Sequence, residues 1–205
     1  MKEKNTKQTI NLWEKKLNID TSKCDATKED EYHYPYEPTP YCVLERLIEE
    51  DYISRENIVI DYGCGKGRVG FFLNRQLGCR VIGIDFDERM YEAAERNLLA
   101  FMKESKKCKI EFYCESAEKY EIENADTFYF FNPFSVEILQ SVIGKIIKSY
   151  YRDLRRMQLF FYYPSDEYIS YLMTVPELYF VDEVDCSDLF LGNNRRERIL
   201  IFEML

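Results

Sequence analysis

The sequence predicts an α/β fold, in which helices cover both faces of a doubly wound, mainly parallel sheet that ends in an antiparallel hairpin. From residue 58 onward, short apolar segments alternate with segments of helical periodicity, as in parallel sheets covered on both faces. The last two apolar segments are instead joined by a turn containing Gly192, Asn193 and Asn194, which is typical of a hairpin. A chain of 205 residues suits one such domain with a short appendage.

The N-terminal residues 1–38 are predicted to form a polar, partly helical appendage or lid. They are highly charged, and only a short amphipathic pattern around Trp13 and Leu17 indicates a helix. The domain itself is predicted to span residues 39–205. We see no internal repeat or low-complexity segment.

Thr39 and Pro40 mark the start of the first helix of the domain, predicted over residues 40–50. Thr39 is a predicted N-cap, and Pro40 suits the first helical position. The strands that follow are short apolar runs, and the helices are longer segments with apolar residues at helical spacing. The strands are predicted over residues 58–61, 80–85, 110–114, 127–131, 158–163, 179–184 and 199–204. The helices between them are predicted over residues 68–76, 88–104, 136–151 and 166–173.

The composition disfavours several classes of partner. A formal net charge of −9 repels a phosphate backbone, so nucleic acid is not favoured, although local basic clusters keep it open as an alternative to solvated faces. No apolar run approaches the roughly 20 residues that span a bilayer, and the start lacks the apolar core of a signal peptide, so we expect a cytoplasmic protein without a membrane partner. The basic clusters are Lys106, Lys107 and Lys109, then Arg152, Arg155 and Arg156, and finally Arg195, Arg196 and Arg198.

The cysteine and histidine content predicts no metal site. The 7 cysteines are an odd number without a Cys-x-x-Cys pair, and we expect reduced, mostly buried thiols. The single histidine, His33, is a candidate general base, but a lone histidine in a flexible segment is more often a bystander.

A glycine-rich turn after the first strand is the main functional signal. Asp61 ends this strand, and Gly63, Gly65 and Gly67 precede the next helix. Glycines here allow positive φ and a close approach of a ligand to the backbone. The Gly-x-Gly-x-Gly spacing differs from the Gly-x-Gly-x-x-Gly of dinucleotide-binding proteins. The negative charge of Asp61 would repel a pyrophosphate, but it would attract an ammonium or a sulfonium.

A second carboxylate, Asp85, ends the next strand of the same unit. A carboxylate at this place can accept two hydrogen bonds from ribose hydroxyls. The alternative is a helix cap for residues 88–104. Asp61 and Asp85 together fit a nucleoside with a positively charged tail and no phosphate.

These residues resemble the first two motifs of the class I S-adenosylmethionine-dependent methyltransferases. The resemblance rests on Asp61-Tyr62-Gly63-Cys64-Gly65-Lys66-Gly67 followed by Gly83-Ile84-Asp85, and is closest to a bacterial group with the Gly-Lys-Gly-Arg form. It covers roughly residues 36–205 and implies a Rossmann-like, seven-stranded sheet with S-adenosyl-L-methionine as the cofactor. In the place of the third motif, Ser116 stands where aspartate is commoner. The implied cofactor-binding residues are Asp61, Gly63, Cys64, Gly65, Gly67, Asp85, Phe86, Ser116, Ala117 and Asn132.

The end of the fourth strand suggests an acceptor site. Asn132-Pro133-Phe134 is similar to the Asn-Pro-Pro-Phe/Tyr motif of methyltransferases acting on amide or exocyclic amino nitrogens, without the second proline. Asn132, Phe134 and Tyr36 are therefore the candidate catalytic residues, lining a cavity for a planar or cationic acceptor. The alternatives are that Asn132 forms a turn, that Phe134 is core, and that the segment around Tyr36 is a proline-stiffened linker.

The sequence thus predicts a methyltransferase whose acceptor, a small molecule or protein before nucleic acid, is unidentified. One alternative is a non-catalytic nucleoside-binding or regulatory module with the same fold. Another is an NAD-dependent oxidoreductase, which the glycine spacing and Asp61 disfavour. The sequence does not indicate the oligomeric state.

Overall fold

The computed structural model describes residues 7–22, 36–105, 107–192 and 194–205. The helices are α1 Lys7–Leu17, α2 Tyr41–Glu49, α3 Arg68–Leu77, α4 Glu88–Glu104, α5 Val136–Arg152 and α6 Asp166–Leu172. The strands are β1 Ile58–Tyr62, β2 Arg80–Asp85, β3 Ile110–Cys114, β4 Thr127–Phe130, β5 Met157–Tyr162, β6 Tyr179–Asp185 and β7 Arg198–Met204. The bounds of β2, β3 and α4 are those predicted, and the other predicted domain elements differ by one residue at one or both ends.

The seven strands form one sheet in the order β3-β2-β1-β4-β5-β7-β6. Neighbouring strands from β3 to β5 are parallel, whereas β7 is antiparallel to both β5 and β6. The predicted fold class is therefore confirmed. The strand order reverses between β1 and β4, and open α/β sheets bind their ligands at the carboxyl ends of the strands beside such a reversal.

The core consists of two apolar layers, one on each face of the sheet. Side chains alternate along each strand, so Tyr129 and Phe160 contact the layer that includes α1 to α4, while Phe128 and Phe161 contact the layer that includes α5 and α6. Large side chains cover both faces of the sheet. This explains why the central parallel strands are mainly apolar.

The predicted N-cap at Thr39 is wrong. Helix α2 is capped at Pro40, which makes no side-chain capping bond. Thr39 is buried instead, and its hydroxyl lies 3.2 Å from the phenol oxygen of Tyr129. The hydroxyl of Thr39, which suggested a cap, therefore interacts with the hydroxyl of Tyr129 in β4 instead.

Helix α1 is joined to the rest of the chain by a buried ion pair. The Glu14 carboxylate lies 3.2 Å from the guanidinium of Arg68, and these residues are only 9% and 3% exposed. Glu14 also accepts hydrogen bonds from the Thr21 backbone and from the Tyr41 hydroxyl, at 2.7 and 2.8 Å. Arg68 donates to the Thr21 hydroxyl at 2.7 Å. Residues 7–22 thus contact α2 and α3 closely, while the division at residue 38 stays a prediction.

Strand β6 forms one edge of the sheet and is irregular. Its pairing with β7 shifts register between Phe180 and Asp182, which marks a bulge. Tyr179, Phe180 and Val181 are exposed here. The connection from β6 to β7, residues 186–197, contains a 3-10 helix, Ser187–Leu189, that was not predicted.

The second basic cluster is partly engaged in internal contacts. Arg155 donates two hydrogen bonds to the carbonyl oxygen of Ala125, at 2.7 and 3.1 Å, and Arg152 donates to Glu123 at 2.9 Å. Both arginines thereby hold the loop before β4. Lys106 of the first cluster lies outside the described residues.

Among the residues with described positions, no helix is both long enough and apolar enough to cross a membrane. The cysteines in this part of the chain are free thiols, and four of them are buried. Cys24 lies outside it.

Candidate functional site

A cavity of about 340 Å³ lies at the carboxyl ends of the central strands, beside the reversal of strand order. Ten of the residues predicted from the sequence line it, and Gly65 and Gly67 do not. The structure therefore brings the ends of β1, β2, β3 and β4 together around one space. The ten are Tyr36, Asp61, Gly63, Cys64, Asp85, Phe86, Ser116, Ala117, Asn132 and Phe134.

Asp61 is a buried carboxyl group in the wall of this cavity. It is 3% exposed, and its Oδ2 atom has no hydrogen-bond partner among the described residues. Burial, and secondarily the negative charge of Asp85, raise the pKa of Asp61 to about 8. A buried polar atom without a partner costs free energy, so this position favours a ligand that brings a positive charge and hydrogen-bond donors.

Asp85 is oriented by the backbone. Its Oδ2 accepts a hydrogen bond from the Gly65 nitrogen at 2.8 Å, and its Oδ1 accepts one from the Asp87 nitrogen at 2.9 Å. A carboxylate has about four acceptor sites, so it can keep these bonds and accept others. The alternative role as the cap of α4 is wrong, because Asp87 occupies the N-cap and accepts from the Arg89 nitrogen.

The glycines of the turn are required by close packing within the protein. A Cβ atom on Gly65 would lie 2.2 Å from the Tyr36 ring, and one on Gly63 would lie 2.5 Å from Pro133. Gly67 has a φ of +87° and faces Phe112. Gly65 and Gly67 are thus covered by aromatic side chains, and their direct contact with a cofactor stays a prediction.

Gly65→Ala is therefore expected to displace the Tyr36 ring and to lower both stability and ligand affinity. The added Cβ meets a ring in a left-handed turn, and the strain of that φ alone is on the order of 1 kcal/mol. Gly144→Ala in α5 is the matched control, because a Cβ there meets nothing within 4 Å. That control should be stabilising by up to about 1 kcal/mol, since alanine favours a helix over glycine. Thermal unfolding of both variants measures the difference; equal melting temperatures would contradict the packing of Tyr36 on Gly65.

Asn132 and Phe134 follow β4 at the other side of the cavity. Asn132 has a φ of +42°, and its Oδ1 atom is buried without a hydrogen-bond partner among the described residues. Asparagine tolerates this left-handed conformation better than most residues, so it acts as a turn former while its carboxamide lines the cavity. Phe134 packs against Phe130 in the core and also contacts the cavity.

Tyr36 connects the cavity to the N-terminal segment. Its hydroxyl donates a hydrogen bond to the carbonyl oxygen of Thr21 at 2.9 Å, and its ring covers Gly65. Burial raises the pKa of the Tyr36 phenol far above its ordinary value. Tyr36 is therefore neutral at physiological pH and serves as a wall of the site. His33 lies outside the described residues.

Sequence reasoning did not assign several polar or charged residues that line the cavity, among them Arg68, Tyr163 and Arg196. Tyr163 follows β5 directly, so its place at the same edge of the sheet as Asn132 was a usable signal. Arg196 was interpreted as part of a solvated cluster. Among the described residues, no group of His, Cys, Asp or Glu side chains is arranged to hold a metal ion.

This chain is similar in sequence to known methyltransferases. Residues 59–156 match a family described as a methyltransferase domain. A protein-lysine N-methyltransferase of Saccharolobus islandicus strain REY15A is 38% identical over 63 residues, which are 30% of this chain. The match spans 39% of that protein's length.

Solved structures share the fold at low sequence identity. The tRNA (uracil-54, C5)-methyltransferase of Pyrococcus abyssi, in complex with S-adenosyl-L-homocysteine, has a TM-score of 0.59 and 16% identity, covering 84% of this chain and 40% of that one. Magnesium protoporphyrin IX methyltransferase of Synechocystis PCC 6803, with bound SAM, has a TM-score of 0.55 and 17% identity, covering 80% of this chain and 76% of that one. The resemblance to class I methyltransferases is confirmed by the family match and the shared fold.

Proposed function

We propose that this chain is an S-adenosylmethionine-dependent methyltransferase. The observation that carries the proposal is the Asp61 carboxyl group, which is buried in the cavity wall, lacks a partner on Oδ2 and lies near a second carboxylate, Asp85. Such a pair suits a ligand with a positive end and hydroxyl donors, and it would repel a pyrophosphate. The family match of residues 59–156 supports the same conclusion.

The residues present fit this cofactor. Asp61 would hold its positively charged end, Asp85 would accept hydrogen bonds from the ribose, and Ser116 and Ala117 would flank the adenine. When bound, the cofactor supplies an electrophilic methyl group on a sulfonium.

The chain's own contribution is mainly to position the acceptor and to exclude water. Positioning alone can supply a large part of the rate of a displacement between two bound groups. The buried Oδ1 of Asn132 can accept a hydrogen bond from an acceptor N–H or O–H and so fix its orientation. Phe131 and Phe134 form apolar walls that keep water away from the reacting atoms.

Asp85→Ala is expected to weaken the binding of S-adenosylhomocysteine by on the order of 1 to 3 kcal/mol, because it removes a carboxylate that accepts ribose hydrogen bonds. Titration calorimetry of the native protein and the variant measures this. Asp182→Ala, on the edge strand far along the sheet, is the control and should bind normally.

The same titration separates the competing functions. Binding of NADH in place of S-adenosylhomocysteine would favour the oxidoreductase. Binding of S-adenosylhomocysteine without turnover of S-adenosylmethionine on any acceptor would favour the non-catalytic module. An unchanged affinity in Asp85→Ala would remove Asp85 from the site.

A further inference from the structure

One wall of the cavity carries a positive charge, Arg196, on the side of β4 and β5, away from the two carboxylates proposed to hold the cofactor. We propose that Arg196, held on Tyr163, binds an anionic group of the methyl acceptor, so that the acceptor is a small planar carboxylate or phosphate compound. This inference rests on the proposed function and names the class of its substrate.

The guanidinium of Arg196 is held in place from several directions. Its Nε donates to the carbonyl oxygen of Pro164 and its Nη2 to that of Tyr163, both at 3.2 Å. The guanidinium carbon lies 4.2 Å from the centroid of the Tyr163 ring. The Asn194 side chain accepts a hydrogen bond from the backbone nitrogen of Arg196 at 3.1 Å and donates one to the Tyr163 hydroxyl at 2.7 Å. A side chain fixed in this way loses little further entropy when it binds a ligand.

These partners leave the charge of Arg196 without a direct counter-ion. Carbonyl oxygens and a ring face are neutral, and within the described ranges no carboxylate forms an ion pair with Arg196. The neighbouring Glu197 accepts a hydrogen bond from the Tyr162 hydroxyl at 2.6 Å, and it feels the charge of Arg196 through space without forming an ion pair with it. Glu37 also lines the cavity but is exposed to solvent, which screens it. A half-buried guanidinium of this kind favours a carboxylate or phosphate, with which it can form two parallel hydrogen bonds.

The position of Arg196 assigns it to the acceptor half of the cavity. Phe130 of β4 pairs with Phe161 of β5, and Asn132 and Tyr163 each follow two residues later. Both have positive φ, +42° and +53°, so the two adjacent strands end in matching left-handed turns. Asn132 and the Tyr163–Arg196 pair therefore lie side by side, whereas the two carboxylates of the cofactor half lie at the ends of β1 and β2.

This arrangement narrows the predicted acceptor from planar or cationic to planar and anionic. An exposed aromatic face attracts cations, but Arg196 already occupies the face of Tyr163. The same charge repels an ammonium group, such as the side chain of a lysine acceptor. The remaining walls, Phe131 and Phe134, accommodate a flat ring.

The test uses four small probes of similar shape and different charge on the protein saturated with S-adenosylhomocysteine. Benzoate and phenyl phosphate are anionic, benzamide is neutral and benzylamine is cationic. Ligand-observed NMR titration gives their dissociation constants. Benzoate or phenyl phosphate is expected to bind at least about tenfold more tightly than benzamide, and the stronger of the two identifies the anionic group.

Three variants test the residue. Arg196→Gln should remove the preference for the anionic probe, whereas Arg196→Lys, which retains the charge, should keep part of it. Arg195→Gln loses the same charge at the adjacent exposed position, which does not line the cavity, and should behave like the native protein. If Arg196 only anchored the turn, its replacement would change the affinity for all four probes by the same factor.

Several results would overturn the inference. Tighter binding of benzylamine than of benzoate to the native protein would indicate a cationic acceptor. An unchanged ratio of benzoate to benzamide affinity in Arg196→Gln would exclude Arg196 as the anion-binding residue. If that variant does not fold, the native protein and Arg196→Lys decide: equal affinities for benzoate and benzamide in both would exclude it as well. Arg196-dependent binding of a single-stranded oligonucleotide in place of the small anions would assign the charge to nucleic acid. A protein that does not bind S-adenosylhomocysteine at all contradicts the proposed function instead, and the probes can still be titrated without it.

Discussion

Replacing Glu14 by alanine is expected to lower the free energy of unfolding by about 3 to 5 kcal/mol, because it leaves the Arg68 guanidinium buried without its counter-ion. The hydrogen bonds from Thr21 and Tyr41 to the same carboxylate are lost together with the ion pair. For a chain of this length, the melting temperature should fall by on the order of 10 °C. Thermal unfolding followed by circular dichroism measures the change.

An exposed pair of the same chemistry is the control. Glu92 and Arg96 are one helical turn apart on α4, with both side chains more than half exposed. Glu92→Ala should change the free energy of unfolding by only a few tenths of a kcal/mol. If Glu14→Ala were equally mild, α1 would not belong to the cooperatively folded unit, and the predicted division at residue 38 would hold. A large loss would place α1 within the domain.

The affinity for S-adenosylhomocysteine is expected to rise about tenfold between pH 6 and pH 7 and to level off above about pH 8, because only the ionised form of Asp61 attracts the ligand's ammonium. The free protein holds a proton on this carboxyl group below about pH 8. Binding at pH 6 to 7 should therefore release about one proton. Calorimetry in buffers of different ionisation enthalpy measures that release.

Asp61→Asn is the control for this titration, because it removes the ionisable group with little change in shape. It should bind weakly at every pH, without proton release. In the free protein, the folded state binds a proton between the ordinary pKa of 3.8 and about 8, whereas the unfolded state does not, so Asp61 makes stability fall as pH rises through this window. The fall should be smaller in Asp61→Asn. A binding profile that is flat from pH 6 to pH 8 in the native protein would remove Asp61 from contact with the ligand.

The fold could be predicted because most positions of the central parallel strands are buried and apolar, as in Phe128 to Phe130. The ends of the strands could be predicted in the same way, since Asp61 and Asp85 interrupt apolar runs where the sheet meets its ligand edge. Both signals lie within a few residues of the feature they predict.

Contacts between distant segments could not be predicted in this way. Glu14 meets Arg68 across 54 positions, and Arg196 meets Tyr163 because β7 pairs antiparallel with β5, with Ile199 opposite Tyr162. Thr39 had the residue type of a cap, but its burial beside Tyr129 decided its partner. In each case a tertiary contact, rather than local propensity, determines the role of the side chain.

The irregular edge strand β6 bears on how copies of the chain meet in solution. A regular edge strand with exposed Tyr179, Phe180 and Val181 would be a template for strand pairing between molecules, the first step of aggregation. The bulge at Phe180 and Asp182 breaks the even spacing of free backbone groups that such pairing needs. Acidic side chains along the same strand add like-charge repulsion between two such edges. Backbone irregularity and charge therefore both oppose strand pairing at this edge, although its aromatic side chains are exposed.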